Sequence, residues 1–383
     1  MHKIMISVGE ASGDLHGASL AEALRQLEPD IAVFGMGGQA MRDAGVDIVY
    51  DIADINVMGF VEVIRNLPRL FRLKDSLVAL MAAEKPDVLV VIDYPDFNMR
   101  LAKAAKKQDI PVVYYISPQV WIWRKDRAKD IAAMTEQVAA IFPFEADVYR
   151  EAGANVTFVG HPLLDIVKPN WDKETAYQHF AVDPEHPVVL LMPGSRKQEV
   201  DQLLDIMLSA AEKIRRVMPE CQFLLPAATT ISREMLQNKL DKYSLPVQIT
   251  TGNTYDLMQI ANLAIAASGT ATLETALMQV PTIVVYKTSP ITYFIGKQLI
   301  KIPYVSLPNI IAGRQIVPEL LQEEANADRV ADEALRILSD WDIYSQTIED
   351  LIAMRQTLGS GGAVRRTAEL VLEVAAQQAG GKE

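Results

Sequence analysis

Apolar residues in this chain come in short unbroken runs, separated by longer stretches with helical spacing. KIMISV, IAVFGMG, PDVLVVID, PVVYYIS, VAAIFPF and VTFVGHP form one series, and PVVLLMPGS, CQFLLPAA, VQITTG, LAIAASGT and PTIVVYK form a second. Successive strand side chains point to opposite faces, so a strand with one wet face alternates apolar and polar residues. Runs without that alternation predict strands covered on both sides, and their alternation with helices predicts βαβ units and parallel sheets. The rhythm breaks over roughly 162–187, which holds four prolines and no strand pattern. The expectation is two doubly wound α/β domains, at 1–165 and 185–343. From about Tyr344 the pattern is helical around a GSGGA break, and helices within 344–383 are expected to pack back over the first domain. Ligands of such sheets sit beyond the C-terminal strand ends, near the cleft between domains, so chemistry is sought there.

Bulk properties narrow the class. A length of 383 residues suits two cores, and 50% apolar with 22% charged residues is ordinary for a globular protein. A net charge of −12 argues against a nucleic-acid partner. The single cysteine, Cys221, excludes an internal disulfide framework, and its setting in ECQFLLPAA predicts a buried structural thiol. No run reaches the roughly 18 apolar residues of a spanning helix, and the N-terminus enters a strand pattern at once. The expected place is the cytoplasm, with contact to a membrane surface left open.

The first strand runs into SVGEASGDLHGASLAEAL, residues 7–24, whose glycines at 9, 13 and 17 suggest a phosphate cradle. Neither the P-loop nor the dinucleotide spacing fits, because Asp14 follows Gly13 and the glycines are four apart. Glu10 and Asp14 also disfavour an anion. The bend suits a neutral, hydroxyl-rich ligand approached closely by backbone, with His16 beside it.

The second series carries an anion site. In LLMPGSRKQEV a strand turns through Pro193 and Gly194 into a helix with Ser195 as expected N-cap. Arg196 then lies in the first helical turn, where the helix dipole disfavours a cation. It fits if a bound anion completes the site, or if it pairs with Glu199 on the surface. In LAIAASGTATLETALM, Ser268, Gly269 and Thr270 turn into a helix. Gly269 permits close approach, Thr270 and Thr272 add hydroxyls, and Glu274 is placed to accept hydrogen bonds from a ribose diol.

Together G-S-R-x-x-E and S-G-T-x-T-x-E resemble the donor half of a GT-B glycosyltransferase. GEASGDLHGA, VMGFVEV, IDYPDFN, YYISPQVWIWR, FPFE, FVGHPL, MPGSR, SGTATLE and LPNIIAG occur in the order seen in the bacterial lipid-A-disaccharide synthase family, which the chain resembles from residue 4 to about 325. The resemblance implies a GT-B fold and an inverting transfer without metal or other cofactor. It further implies UDP-2,3-diacylglucosamine as donor, the 6-hydroxyl of 2,3-diacylglucosamine 1-phosphate (lipid X) as acceptor, and a β-1′,6 linkage. Charge on the departing UDP then falls to Arg196 and the helix start at 269–272. Asn309 in SLPNIIAG matches a family asparagine at the donor site, with Arg314 and Gln315 weaker candidates. Asp340-Trp341-Asp342 is the only D-x-D triplet and stands in a polar helical region.

Inversion in one displacement needs a base for the attacking hydroxyl. Asp93 ends the most hydrophobic strand, in PDVLVVIDYPDFN, and the resemblance favours it over Asp96. Glu10 and His16 remain reserve bases, with Asp14 an acceptor ligand. Residues 55–81 set Arg65, Arg69, Arg72 and Lys74 among apolar residues. The three arginines share one helical face, which suits an anionic membrane surface or lipid acyl chains. Trp121, Trp123 and Arg124 form a second such candidate, and residues 297–301 a third. The rivals are a UDP-GlcNAc 2-epimerase, a muramyl-lipid transferase and a nucleotide-sugar-binding protein without turnover. The missing G-x-G-x-x-G disfavours a nicotinamide oxidoreductase.

Overall fold

The structure is a computed structural model that describes residues 1–54, 60–118, 120, 125–228, 230–288 and 303–380; the side chains of 54, 60–68, 125, 126, 379 and 380 are not part of that description. The chain forms two compact units, Met1–Asp165 with Ser360–Glu383, and Ile166–Gly359.

The first unit holds a seven-stranded sheet: β1 (Lys3–Ser7), β2 (Ala32–Gly37), β3 (Asp47–Asp51), β4 (Val88–Ile92), β5 (Val112–Tyr115), β6 (Gln137–Ala140) and β7 (Val156–Phe158). All its pairings are parallel and the order is β3-β2-β1-β4-β5-β6-β7. The direction of winding reverses between β1 and β4, where Ile4 pairs with Val88 and Ser7 with Val91. The crevice at such a reversal is where open sheets bind ligands. All five β4 residues are wholly buried, as its unbroken VLVVI run predicts.

The second unit holds β8 (Val188–Met192), β9 (Gln222–Pro226), β10 (Val247–Thr250), β11 (Leu263–Ala267), β12 (Thr282–Tyr286) and β13 (Glu319–Leu321), in the order β10-β9-β8-β11-β12-β13. Its reversal lies between β8 and β11. Alternate residues feed two cores. Val189, Leu191 and Ile265 join Leu203, Met207 and Ile214 of helix Lys197–Val217 on one face. Val188, Leu190 and Ala264 meet Phe180, Leu257 and Ile260 on the other. Each such aliphatic side chain contributes about 1.5–3 kcal/mol on burial, so both layers are needed to hold the sheet. Cys221 is buried against the first of these cores, and burial pushes its thiol up to about 11.

The tail divides later than expected. Helix Trp341–Thr357 stays with the second unit, burying Leu351 and Met354 beside helices Thr270–Leu277 and Leu307–Ala312. The return to the first unit begins at Ser360. Helix Ala363–Gly380 packs along helix Ala11–Leu27. It is fastened at its start, where Gly362 N–H donates to Asp165 at 2.5 Å and Arg366 Nε donates to the Val159 carbonyl at 2.8 Å. Among the described residues no helix is long and apolar enough to cross a membrane.

Candidate active site

In the first unit the ends of β1 and β4 are bound together by one side chain. Asn98, wholly buried in helix Pro95–Lys106, accepts from the Ser7 hydroxyl at 2.8 Å. Its Nδ2 donates to the carbonyls of Ser7 (3.2 Å), Ile92 (3.1 Å) and Asp93 (2.8 Å). This bracket holds an unusual backbone. Asp93 and Tyr94 are both left-handed, at φ +49° and +48°, a conformation that costs non-glycine residues of order 1–3 kcal/mol each. Asp93 N–H donates to the Ile116 carbonyl at 3.3 Å, and Ile116 is itself left-handed at φ +53°. The next residue, Ser117, donates to the wholly buried Glu145 at 3.0 Å, and burial raises that carboxyl to about 7.

The turn delivers Asp93 to the strand end as a half-buried carboxyl. Burial raises its pKa above the ordinary aspartate value, and the nearby Glu10 carboxylate adds to the rise. Glu10 is exposed at the N-cap of helix Ala11–Leu27 and makes no side-chain capping bond there. A carboxyl whose anion is disfavoured in this way is a stronger proton acceptor than an ordinary aspartate. His16 is driven the other way. Burial lowers it to about 4, its Nδ1 has no partner among the described residues, and its ring meets Tyr115 edge-on at 6.4 Å. Burial thus leaves the imidazole neutral and weakly basic.

Three expectations for this unit's site are corrected. Asp14 is not open to a ligand: it is buried and accepts from the N–H groups of Gly38 (2.6 Å), Ala40 (2.9 Å) and Met41 (3.2 Å), fixing the start of helix Gln39–Asp43. The glycines make room for the protein's own side chains, since a Cβ at Gly9 would lie 2.1 Å from Tyr94 Cγ and one at Gly17 2.6 Å from Met41 Sδ. Asp96, the second choice of base, is exposed and paired with Arg127 at 2.8 Å.

Arg69 and Arg72 are exposed on helix Phe60–Glu84, which also contains Arg65 and runs unbroken through Pro68; the Arg65 side chain is outside the described ones. Phe71 is exposed beside them, with the Arg100 guanidinium 5.2 Å from its ring centre. Trp121, Trp123 and Arg124 lie outside the described residues, as do 297–301.

In the second unit, β8 ends in a turn at Gly194 (φ +110°). Glu199 accepts from the N–H groups of Ser195 (3.1 Å) and Arg196 (3.2 Å), and a Cβ at Gly194 would lie 2.2 Å from its Oε2. The N-cap is Arg196, one residue beyond the expected Ser195, because Glu199 already satisfies the N–H of each. Glu199 thus closes the turn, while the Arg196 guanidinium is 78% exposed and only 3.6 Å from Glu199. An ion pair so exposed holds its arginine weakly.

After β11, Gly269 caps helix Thr270–Leu277, with Gly269 and Thr270 exposed and Ser268 partly so. Thr272 is wholly buried and donates its hydroxyl to the Gly269 carbonyl at 2.7 Å, so the expected donor points inward. Glu274 lies on the pocket side. It lines a pocket of about 330 Å³ with Asn170, Asn253, Thr254, Tyr255 and Asp256. Burial raises its pKa, and the Tyr255 hydroxyl, donating at 2.9 Å, opposes that rise.

Asn309 is the clearest correction. It is wholly buried, donating to the Val317 carbonyl (2.9 Å) and Glu319 (2.8 Å) while accepting from Ile316 N–H (2.7 Å) and Val317 N–H (3.0 Å). With both amide ends committed, it builds the loop and does not face a ligand. Arg314 is tied to Asp350 by two bonds of 2.9 and 2.7 Å. Asp340 caps helix Trp341–Thr357 through Asp342 and Ile343 N–H. Asn98, Tyr94 and Tyr255 were not singled out from sequence; Asn98 and Tyr94 stand inside IDYPDFN, and Tyr255 follows the TGN turn after β10.

With this geometry in place, the family model described as lipid-A-disaccharide synthetase matches residues 4–374. The chain belongs to the lipid-A-disaccharide synthetase family. Its relatives include lipid-A-disaccharide synthases of Geobacter sulfurreducens, 43% identical over 98% of each chain, and Syntrophus aciditrophicus, 45% identical over 96% of this chain and 97% of that one. Among solved structures, UDP-GlcNAc 2-epimerase from Neisseria meningitidis bound to UDP-GlcNAc is similar at TM-score 0.69 and 15% identity, covering 97% of this chain and all of that one. Acinetobacter baumannii MurG is similar at TM-score 0.59 and 16% identity, covering 97% and 99%. At such identities the likeness is one of fold: this family member has the GT-B fold of two parallel-sheet α/β units. The epimerase and muramyl-transferase readings have that likeness alone behind them.

Proposed function

We propose that this protein transfers 2,3-diacylglucosamine from UDP to the 6-hydroxyl of lipid X, with inversion to a β-1′,6 linkage. Asp93 takes the proton of the 6-hydroxyl as its oxygen attacks C1 of the donor sugar. The bond from C1 to the UDP oxygen breaks, and UDP leaves with the electron pair. Arg196 and the start of helix Thr270–Leu277 meet the charge that develops on the diphosphate, since a helix N-terminus favours anions. The ribose sits against Glu274. Glu10 keeps Asp93 basic, and His16 stands beside them as an uncharged hydrogen-bonding group.

The observation that carries this reading is Asp93 itself, a carboxyl raised by burial and by a neighbouring carboxylate at the reversal point of the first sheet. A catalytic base needs that combination of exposure and basicity. We further assign Arg65, Arg69 and Arg72, together with Trp121, Trp123 and Arg124, to an anionic membrane surface, the cytoplasmic face of the inner membrane, where both lipid substrates reside. The protein is then a peripheral one.

The test is product identity. Purified protein with UDP-2,3-diacylglucosamine and lipid X should form one disaccharide per UDP released, its linkage β-1′,6 by NMR. Conversion of the donor sugar without lipid X would support an epimerase, and UDP-sugar binding without turnover a binding protein.

A further inference from the structure

The Glu274 pocket has Tyr255 in its wall beside the carboxylate. Tyr255 opens helix Thr254–Met258, just after two left-handed residues, Gly252 (φ +69°) and Asn253 (φ +49°). That short helix is immobilised from below. Asp256 is wholly buried and accepts from Asn170 N–H (2.6 Å), Trp171 N–H (2.7 Å) and Asn170 Nδ2 (3.3 Å), tying the pocket floor to the segment before β8. The Tyr255 ring packs against the buried core that contains Leu257 and Met258. Its hydroxyl is therefore a fixed donor, 2.9 Å from Glu274 Oε1. No other hydrogen bond to the Glu274 carboxylate is found among the described residues, and Glu274 is not fully buried.

A carboxylate that is to hold a vicinal diol must keep its plane and its charge. Free rotation about its last bond would have to be frozen on binding, and a protonated carboxyl would lose an acceptor oxygen. We infer that Tyr255 is the positioning residue of the donor pocket, pinning one oxygen of Glu274 so that the other is presented to the ribose hydroxyls, and that it thereby sets the preference for a ribonucleotide over a deoxyribonucleotide. The inference rests on the reading of Glu274 as the ribose ligand. A merely structural tie between the two helices would predict a stability loss from breaking it, but no effect that depends on the sugar hydroxyl.

Binding of UDP and 2′-deoxy-UDP to the full chain, by calorimetry, separates these cases. Wild type should bind UDP more tightly than its deoxy analogue. Tyr255→Phe, which keeps the ring and removes the donor, should weaken UDP by about 3- to 10-fold and leave 2′-deoxy-UDP unchanged, so the preference collapses. Glu274→Gln should also lose the preference, and adding Tyr255→Phe to it should cost nothing more. A wild type that does not distinguish the two nucleotides would overturn the ribose role of Glu274. A preference that persists in Tyr255→Phe would leave that role intact and overturn the role of Tyr255. Should Tyr255→Phe fail to fold, Tyr255→Leu, which likewise has no donor, gives the same comparison: undiminished preference contradicts the inference and lost preference supports it.

Discussion

Replacing Asn98 by alanine should both loosen the first unit and slow the reaction. The side chain has two amide hydrogens shared among the carbonyls of Ser7, Ile92 and Asp93, and one oxygen accepting from the Ser7 hydroxyl. That is about three hydrogen bonds, each worth roughly 1 kcal/mol net, with a further 1–3 kcal/mol for leaving a buried Ser7 hydroxyl unpaired. The expected loss is about 4–6 kcal/mol, a large part of the 5–15 kcal/mol that usually holds a domain. Asp93 keeps its bond from Tyr114 Oη to its carbonyl at 3.3 Å, so the turn is weakened and not abolished. Its two left-handed residues would then relax toward ordinary geometry and carry the Asp93 carboxyl off line. Because two units need not unfold together, hydrogen exchange of the β1 and β4 amides is the suitable assay, alongside kcat. Protection should fall by the stated free energy and kcat by at least about tenfold. A loss below about 1 kcal/mol with kcat intact would refute the reasoning, since the bracket would then hold neither the fold nor the site.

Other outcomes follow from the same geometry. The acid limb of kcat/KM should lie above the ordinary aspartate value of about 3.9, because the raised Asp93 must lose its proton to act, and Glu10→Gln should move that limb to lower pH by removing the second cause of the rise; a limb unmoved by Glu10→Gln would separate the two carboxylates. The sign for stability is opposite: with its folded pKa raised, Asp93 favours the fold below its unfolded pKa and loses that contribution as pH rises through the folded one, so Asp93→Asn should resist urea better than wild type at pH 8. Arg196→Ala should lower kcat/KM by about 10²–10³ while changing stability by no more than about 0.5 kcal/mol, as its exposed ion pair is weak. Asn309→Ala should do the reverse, costing about 2–4 kcal/mol in thermal unfolding with a smaller change in KM for the nucleotide sugar.

Where the hydrophobic signal is strong, sequence and structure coincide. β4 and β8 are unbroken apolar runs because both faces are buried, and the junction near 165 shows as a gap in that rhythm. The two strands that went unread, β3 and β13, lie at sheet edges. DIVYD is bounded by charges and partly exposed along its length, and ELL is three residues long, too short to show a period. In the site, residue type and position at a strand end were legible: Asp93, Arg196, Gly269 and Glu274 all stand there or in the first turns beyond. What was not legible is which polar groups the fold consumes. Asp14, Thr272, Glu199 and Asn309 have ligand-like chemistry, yet each is bonded to backbone groups that come from chain neighbours or distant loops. The converse holds for Asn98 and Tyr255, whose partners lie up to 91 and 19 residues away and leave no local pattern.

The central claim is that Asp93 is the base for lipid X. UDP release from UDP-2,3-diacylglucosamine, measured with and without lipid X for wild type and Asp93→Ala, tests it most directly. Release should require lipid X and fall by about 10²–10⁴ in the variant, with UDP affinity unchanged. Lipid-X-dependent release that survives the substitution would contradict it and return the proton transfer to Glu10 or His16.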